Sequence, residues 1–176
     1  YEIWSRLVGS EMCIRDWPKS GIILEPLCGK VFGPEDHIIL TQKKGSLVGL
    51  DCSWKHIEIS VDRVMRQTRL QPRMLPLLLA ANPVNWGKPS KLTTIEALAT
   101  ATYLAGNKSQ AKSLLSRFSW GNRFIELNYE PLEAYSNASS SKELVDLQFE
   151  FFDIEHLRGA NDCLLYTSPS PRDETK

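Results

Sequence analysis

The stretch LDCSW (50–54) closes an apolar run with an acid and a tryptophan. If the run is a strand of a parallel sheet, Asp51 stands at its carboxyl end, where such sheets place their ligand crevice. A carboxylate there can take up a proton, contact a ligand or cap the next helix, and the residue types leave those roles open. Trp54 offers a rigid apolar plate that attracts a cation by ~0.5–2 kcal/mol, or it serves as an ordinary core residue. Further on, Arg66, Arg69 and Arg73 recur at i, i+3 and i+7, so they share a face if the stretch is helical. With Lys88 and Lys91 they can track a polyanion backbone, where phosphate contacts dominate affinity. The third group is AANPVNWGKPSKL (80–92). Here a leucine run stops in a loop restricted by Pro83 and Pro89, which loses little entropy when a ligand binds. The loop ends at Ser90 and delivers Thr94 to a helix start.

Metal chemistry is not expected. His37, His56 and His156 are scattered without ligand spacing. Of the four cysteines, Cys13 and Cys163 lie in the terminal segments 1–16 and 163–176, which are set aside, and Cys28 and Cys52 are too isolated for a zinc knuckle or a disulfide framework. Two separated cysteines fit a reducing, cytoplasmic setting. No apolar run approaches the ~20 residues of a membrane span. The net charge of zero hides an asymmetry. Residues 54–91 hold seven bases and two acids, whereas 124–162 hold two bases and nine acids. A basic middle beside an acidic tail suits a polyanionic partner, or reflects two solvated surfaces that differ.

The elements that must position these residues divide the chain. SGIILEP (20–26) and SLVGLDCSW (46–54) read as buried strands, and MLPLLLAAN (74–82) as a third, buried on both faces. Between the first two, 33–45 reads as a helix with Gly33 as N-cap, Pro34 at its first position and Gly45 closing it. Residues 61–71 favour a helix. After Asn85 the pattern is helical. Thr93-x-x-Glu96 is a capping box opening a helix that stops at Gly106, with Glu96 its reciprocal partner. Segments 109–118 and 121–130 follow, the second interrupted by Pro131. Ser140-x-x-Glu143 is another capping box, opening a helix with Leu144, Leu147, Phe151 and Leu157 on one face. The fold class is therefore α/β: a partial parallel sheet with crossover helices over 17–92, then an all-helical half over 93–158.

The ends stand apart. Residues 1–16 and 163–176 resemble translated sequencing-adapter read-through, and such scars are excluded from fold reasoning. Three strands alone make a thin sheet, so the α/β half over 17–92 is expected to be truncated at its N-terminus, with a piece missing upstream and the sheet left open.

In ILEPLCGKVFGPEDHIIL (23–40), LDCSW, RMLPLLLAANPVNWGKPSKLTTIEAL (73–98) and FSWGNRFIELNYEPLEAY (118–135), the chain resembles the 18S rRNA aminocarboxypropyltransferases of ribosome biogenesis. The resemblance spans 20–152, and the motifs in this order are highly specific. It implies a SPOUT-like, trefoil-knotted fold. It also implies S-adenosylmethionine as donor, without a metal, and transfer of the 3-amino-3-carboxypropyl group to N3 of N1-methylpseudouridine in small-subunit rRNA. Asp51 is then the candidate general base, and Trp54 the wall of the methyl-side pocket. Val48, Trp54, Leu75, Ser90 and Thr94 are the implied cofactor contacts, and Arg66, Arg69, Arg73, Lys88 and Lys91 the candidate RNA contacts. The implied setting is a cytoplasmic monomer acting on a pre-ribosomal particle. The other readings are a SPOUT-like RNA methyltransferase and a non-catalytic RNA-binding assembly factor. One departure is the start: members carry a first strand and a Ser/Thr-Gly loop where this chain has 1–16.

Overall fold

The computed structural model describes residues 3–7, 18–41, 45–51 and 64–153. Within these, four parallel strands form one sheet in the order β1-β3-β2-β4. They are β1 (Ile3–Leu7), β2 (Ser20–Leu24), β3 (Ser46–Asp51) and β4 (Arg69–Arg73). The two central strands are apolar because both their faces are covered: Ile22, Ile23, Leu47 and Val48 are fully buried. The outer place beside β3 is filled by Ile3–Leu7, whose register runs from Ile3 opposite Leu47 to Leu7 opposite Asp51. This differs from the expectation of a sheet left open upstream, because Ile3–Leu7, set aside with residues 1–16, pairs along β3 from Leu47 to Asp51.

Between β2 and β3 the expected long helix is shorter. A single 3-10 turn, Pro34–Asp36, leads into α1 (His37–Thr41), with Gly33 as N-cap and Pro34 first. Gly45 donates its N–H to the Ile39 carbonyl at 3.1 Å, closing the unit as expected.

Two sequence expectations shift along the chain. Residues 61–63 lie outside the described residues, and helix covers only 64–65 before the chain turns into β4. Pro72 is tolerated there because β4 is the outer strand of the sheet, where one side of the ladder needs no donor. The run 74–82 is buried and extended but is not a strand. It pairs with other backbone only as isolated bridges, Met74 beside Val31 and Leu79 beside Pro89, and side chains of the helical half satisfy Leu77 and Leu79. Gln148 accepts from the Leu77 N–H at 2.8 Å, and Tyr135 donates to the Leu77 carbonyl at 3.2 Å. Asn128 accepts from the Leu79 N–H at 2.7 Å and donates to the Leu79 carbonyl at 2.9 Å. The Asn128 amide thereby replaces a neighbouring strand's peptide. Burial pushes the Tyr135 phenol well above its usual range, so it stays protonated and remains a donor.

The helical half comprises α2 (Thr94–Leu104), α3 (Lys108–Leu115), α4 (Gly121–Leu127), α5 (Tyr129–Asn137) and α6 (Ser141–Phe151). Pro131 does not interrupt a helix. It sits in the first turn of α5, where a missing N–H leaves no helical bond unmade. Helix α2 is buried nearly all round. Leu98, Ala101 and Ala105 pack with Ile22, Leu24 and Leu47 of the sheet. Ala99 and Tyr103 join Leu78, Leu115, Phe124, Leu132 and Leu144 in the helical core. One helix therefore carries both cores, and its N-terminus is a fixed point for whatever site lies beside it. Leu157 lies outside the described residues.

Candidate functional site

Parallel strands bring their carboxyl ends to one side, and a cleft of about 130 Å³ opens there. Its floor is Leu24 and Glu25 at the end of β2, Gly49 and Leu50 of β3, and Arg73 of β4. Met74, Leu75 and Pro76 form one wall. Ser90, Leu92, Thr94 and Ala97 form the other, at the start of α2. Three of the expected cofactor contacts, Leu75, Ser90 and Thr94, thus meet although they lie up to 19 positions apart in the chain.

Local geometry explains why they meet. The Thr94 hydroxyl faces the Leu50 carbonyl at 3.4 Å, joining the helix start to the end of β3. Ser90 adopts a left-handed φ of 56°. A non-glycine residue there is uncommon and is held by its surroundings, here by its N–H donating to Leu78 at 3.0 Å. The loop before it is an antiparallel turn. Ala80 donates to Lys88 at 3.0 Å, Gly87 donates to Ala80 at 2.7 Å, and Gly87 supplies the required φ of 72°.

Glu96 locks this loop to the helix. It is fully buried and accepts five hydrogen bonds. The N–H groups of Ala81 and Asn82 reach Oε1 at 2.7 and 3.0 Å. The Asn82 amide, the Thr93 N–H and the Thr93 hydroxyl reach Oε2 at 2.8, 2.7 and 2.8 Å. The capping box was legible, but the capture of Ala81 and Asn82 was not.

The structure separates the other expected site residues. Val48 is fully buried within β3 and does not line the cleft, so its place is in the core. Trp54 lies outside the described residues. Asp51 closes β3 directly after the cleft-lining Leu50. The shared arginine face does not form, because Arg69 and Arg73 belong to a strand and Arg66 to the turn before it. Arg73 is corrected outright as an RNA contact. It is 4% exposed, and its Nε lies 2.9 Å from both carboxylate oxygens of Asp36. Arg66 and Arg69 are exposed, but Arg69 stands four residues, ~13 Å, from the cleft end of β4. Lys88 is exposed on the 80–90 loop, and Lys91 is half-buried between Ser90 and Leu92.

Gly49 is a site residue that the sequence reading passed over. A glycine inside an apolar strand often marks close approach of another element. A Cβ at Gly49 would lie 2.9 Å from Thr94 Cγ2 and 3.1 Å from Leu98 Cγ. Thr94 is β-branched and cannot swing aside cheaply. Gly49→Ala should therefore push back the start of α2, costing ~1–3 kcal/mol as overpacking does. Thermal denaturation should show the midpoint falling by about 2–12 °C.

Among the described residues no cluster of His, Cys, Asp and Glu can hold a metal ion. No helix among them is long and apolar enough to cross a membrane.

Residues 22–152 match the family model of the ribosome biogenesis protein, C-terminal region. The chain is 46% identical over 134 residues to the 16S rRNA aminocarboxypropyltransferase of Methanosarcina mazei, covering 76% of this chain and 74% of that protein. It is 45% identical over 136 residues to the protein of the same name from Methanopyrus kandleri, covering 77% and 78%. In three dimensions it is similar to the SAM-dependent rRNA:acp-transferase Tsr3 from Vulcanisaeta distributa. That match has a TM-score of 0.67 and 28% identity, over 91% of this chain and 98% of that one. These relatives are named for 16S rRNA, where the resemblance read from the sequence is to the 18S enzymes.

Proposed function

Since the chain belongs to the ribosome biogenesis family defined by that C-terminal region, we propose that it transfers the 3-amino-3-carboxypropyl group of S-adenosylmethionine to small-subunit rRNA, at N3 of N1-methylpseudouridine. The observation that carries the reading is the cleft itself. It lies at the carboxyl ends of three parallel strands and gathers Leu75, Ser90 and Thr94, as expected of a nucleoside-binding crevice in an open α/β sheet.

The lining suits the donor. Leu24, Leu50, Met74 and Leu75 give apolar surface for an adenine, while strand-end peptides and the α2 start offer polar edges. Glu25 brings an acidic residue to the end of β2 in the same lining. When bound, the donor supplies a sulfonium with three electrophilic carbons, so selectivity is a matter of which carbon is presented. Holding reactants in a near-attack arrangement can contribute ~7–11 kcal/mol. Leu75, Ser90 and Thr94 hold the nucleoside end, and Trp54 walls off the methyl. Asp51 takes the N3 proton as the new N–C bond forms and the C–S bond breaks. The same likeness carries the finer fold reading, a SPOUT-like α/β half with a trefoil knot. The setting is the cytoplasm, with a monomer acting on a pre-ribosomal particle.

Titration with S-adenosylmethionine, followed by mass analysis of an rRNA fragment carrying N1-methylpseudouridine, tests the reading. An added aminocarboxypropyl group is expected. An added methyl, or no donor binding, overturns it. Lys88 and Lys91 flank the cleft as RNA contacts, and Arg66 and Arg69 extend the basic surface. Replacing both Arg66 and Arg69 by Glu should weaken RNA binding and lower its log–log salt slope by about 1.4–1.8. Donor affinity should stay unchanged, and equal loss of both would indicate misfolding.

A further inference from the structure

The 82–90 loop exposes two apolar side chains beside the cleft: Val84 is 83% exposed and Trp86 is 52% exposed. Single exposed apolar residues are ordinary on a protein surface. These two differ because the loop that bears them is held in place. Asn82 is fixed by Glu96, and its side-chain oxygen accepts from the Asn85 N–H at 3.0 Å. Lys88 donates to Asn85 at 2.9 Å, and the Gly87 turn ties back to Ala80. The backbone that presents the ring is therefore fixed at both ends of the turn. At the base of the same loop, Ser90 lines the cleft four residues on.

We propose that Trp86 is a positioning residue for RNA: its exposed ring is a stacking platform for an unpaired base next to the target nucleotide. This rests on the proposed activity and names the group that seats the acceptor. RNA is favoured over a protein partner by the neighbouring chemistry. Lys88 is exposed two residues away and offers a phosphate contact. A flat ring beside a cation is the arrangement by which proteins hold single-stranded nucleic acid, since every base has a face to stack. Val84 completes the loop's apolar tip. A target nucleotide in folded RNA must leave its stack to reach a cleft, and its neighbour then needs a replacement surface.

The test compares Trp86→Ala and Trp86→Phe in the full chain, using a small-subunit rRNA hairpin with an unpaired loop. Stacking of one base predicts that Trp86→Ala weakens hairpin binding by about 5- to 100-fold. Trp86→Phe should recover most of it, because a ring is restored. S-adenosylmethionine affinity and melting temperature should stay at parental values in both. With a blunt-ended RNA duplex, which has no unpaired base, the two variants should bind alike. Parental binding by Trp86→Ala overturns the proposal alone. So does loss in both variants with a lowered melting temperature, which makes the ring structural. A parent chain that binds neither donor nor hairpin removes the functional reading with it.

Discussion

Glu96→Gln should lower the melting temperature by about 8–16 °C and weaken S-adenosylmethionine binding at least tenfold. The carboxylate is fully buried, with five donors converging on two oxygens. Such convergence satisfies a buried carboxylate, helped by the N-terminal end of α2. Glutamine keeps one accepting oxygen and turns its NH2 towards donors. Whichever way the amide is placed, two or three of the five donors lose their acceptor. Buried donors without partners cost ~1–3 kcal/mol each, and hydrogen bonds to charged groups contribute ~1.5–3 kcal/mol. About 4 kcal/mol is a moderate figure for the whole, and in a chain of this size each kcal/mol moves the midpoint by ~2–4 °C. Donor binding suffers because Ser90 and Thr94 are set by the loop and helix that Glu96 joins. Thermal denaturation and calorimetry read the two effects separately. A melting shift without loss of affinity would mean that the cleft does not depend on this lock.

Local signals in the chain were reliable where the physics is local. Thr93 and Ser140 cap their helices, each accepting from the residue three positions on, but only the first box is reciprocal: the Glu143 carboxylate accepts from the Ser139 N–H at 2.8 Å instead of from Ser140. Gly106 takes the left-handed φ of 85° that ends a helix. The leucine run 74–82 misled for a nonlocal reason. A buried extended backbone needs hydrogen-bond partners, and a sheet is the usual source. Here Asn128, Tyr135 and Gln148 provide them from 49 to 71 positions away, and no window of sequence shows that. β4 was obscured by the opposite effect: Pro72 argues against a central strand, and nothing local says that this strand lies at the sheet edge. In the cleft, Leu75, Ser90 and Thr94 were accessible through family likeness. Gly49 and Glu25 were accessible through chemistry, one as a glycine inside a strand and the other as an acid at a strand's carboxyl end. Arginine spacing failed because i, i+3, i+7 has meaning only on a helix.

Arg73→Met should cost ~3–5 kcal/mol, whereas Arg73→Met combined with Asp36→Leu should recover most of that loss. Both partners are almost inaccessible, at 4% for Arg73 and 2% for Asp36. Besides Asp36, the guanidinium donates to the Pro72 carbonyl at 2.7 Å and to Gln71 at 2.9 Å. Removing the arginine leaves the Asp36 carboxylate with the Gly33 N–H at 3.2 Å as its remaining donor from this cluster. An uncompensated buried charge is the costly outcome. Removing both charges also removes the two desolvation penalties, which cancel much of a buried pair's attraction. The double variant should therefore melt close to the parent, and the cycle should report coupling of a few kcal/mol. RNA binding separates this structural role from the one that spacing suggested. If Arg73 held a phosphate, replacing it would lower the salt slope by about 0.7–0.9. In the refolded double variant the slope should instead match the parent, because the guanidinium faces Asp36 across the end of β4 and not the solvent that an RNA would occupy.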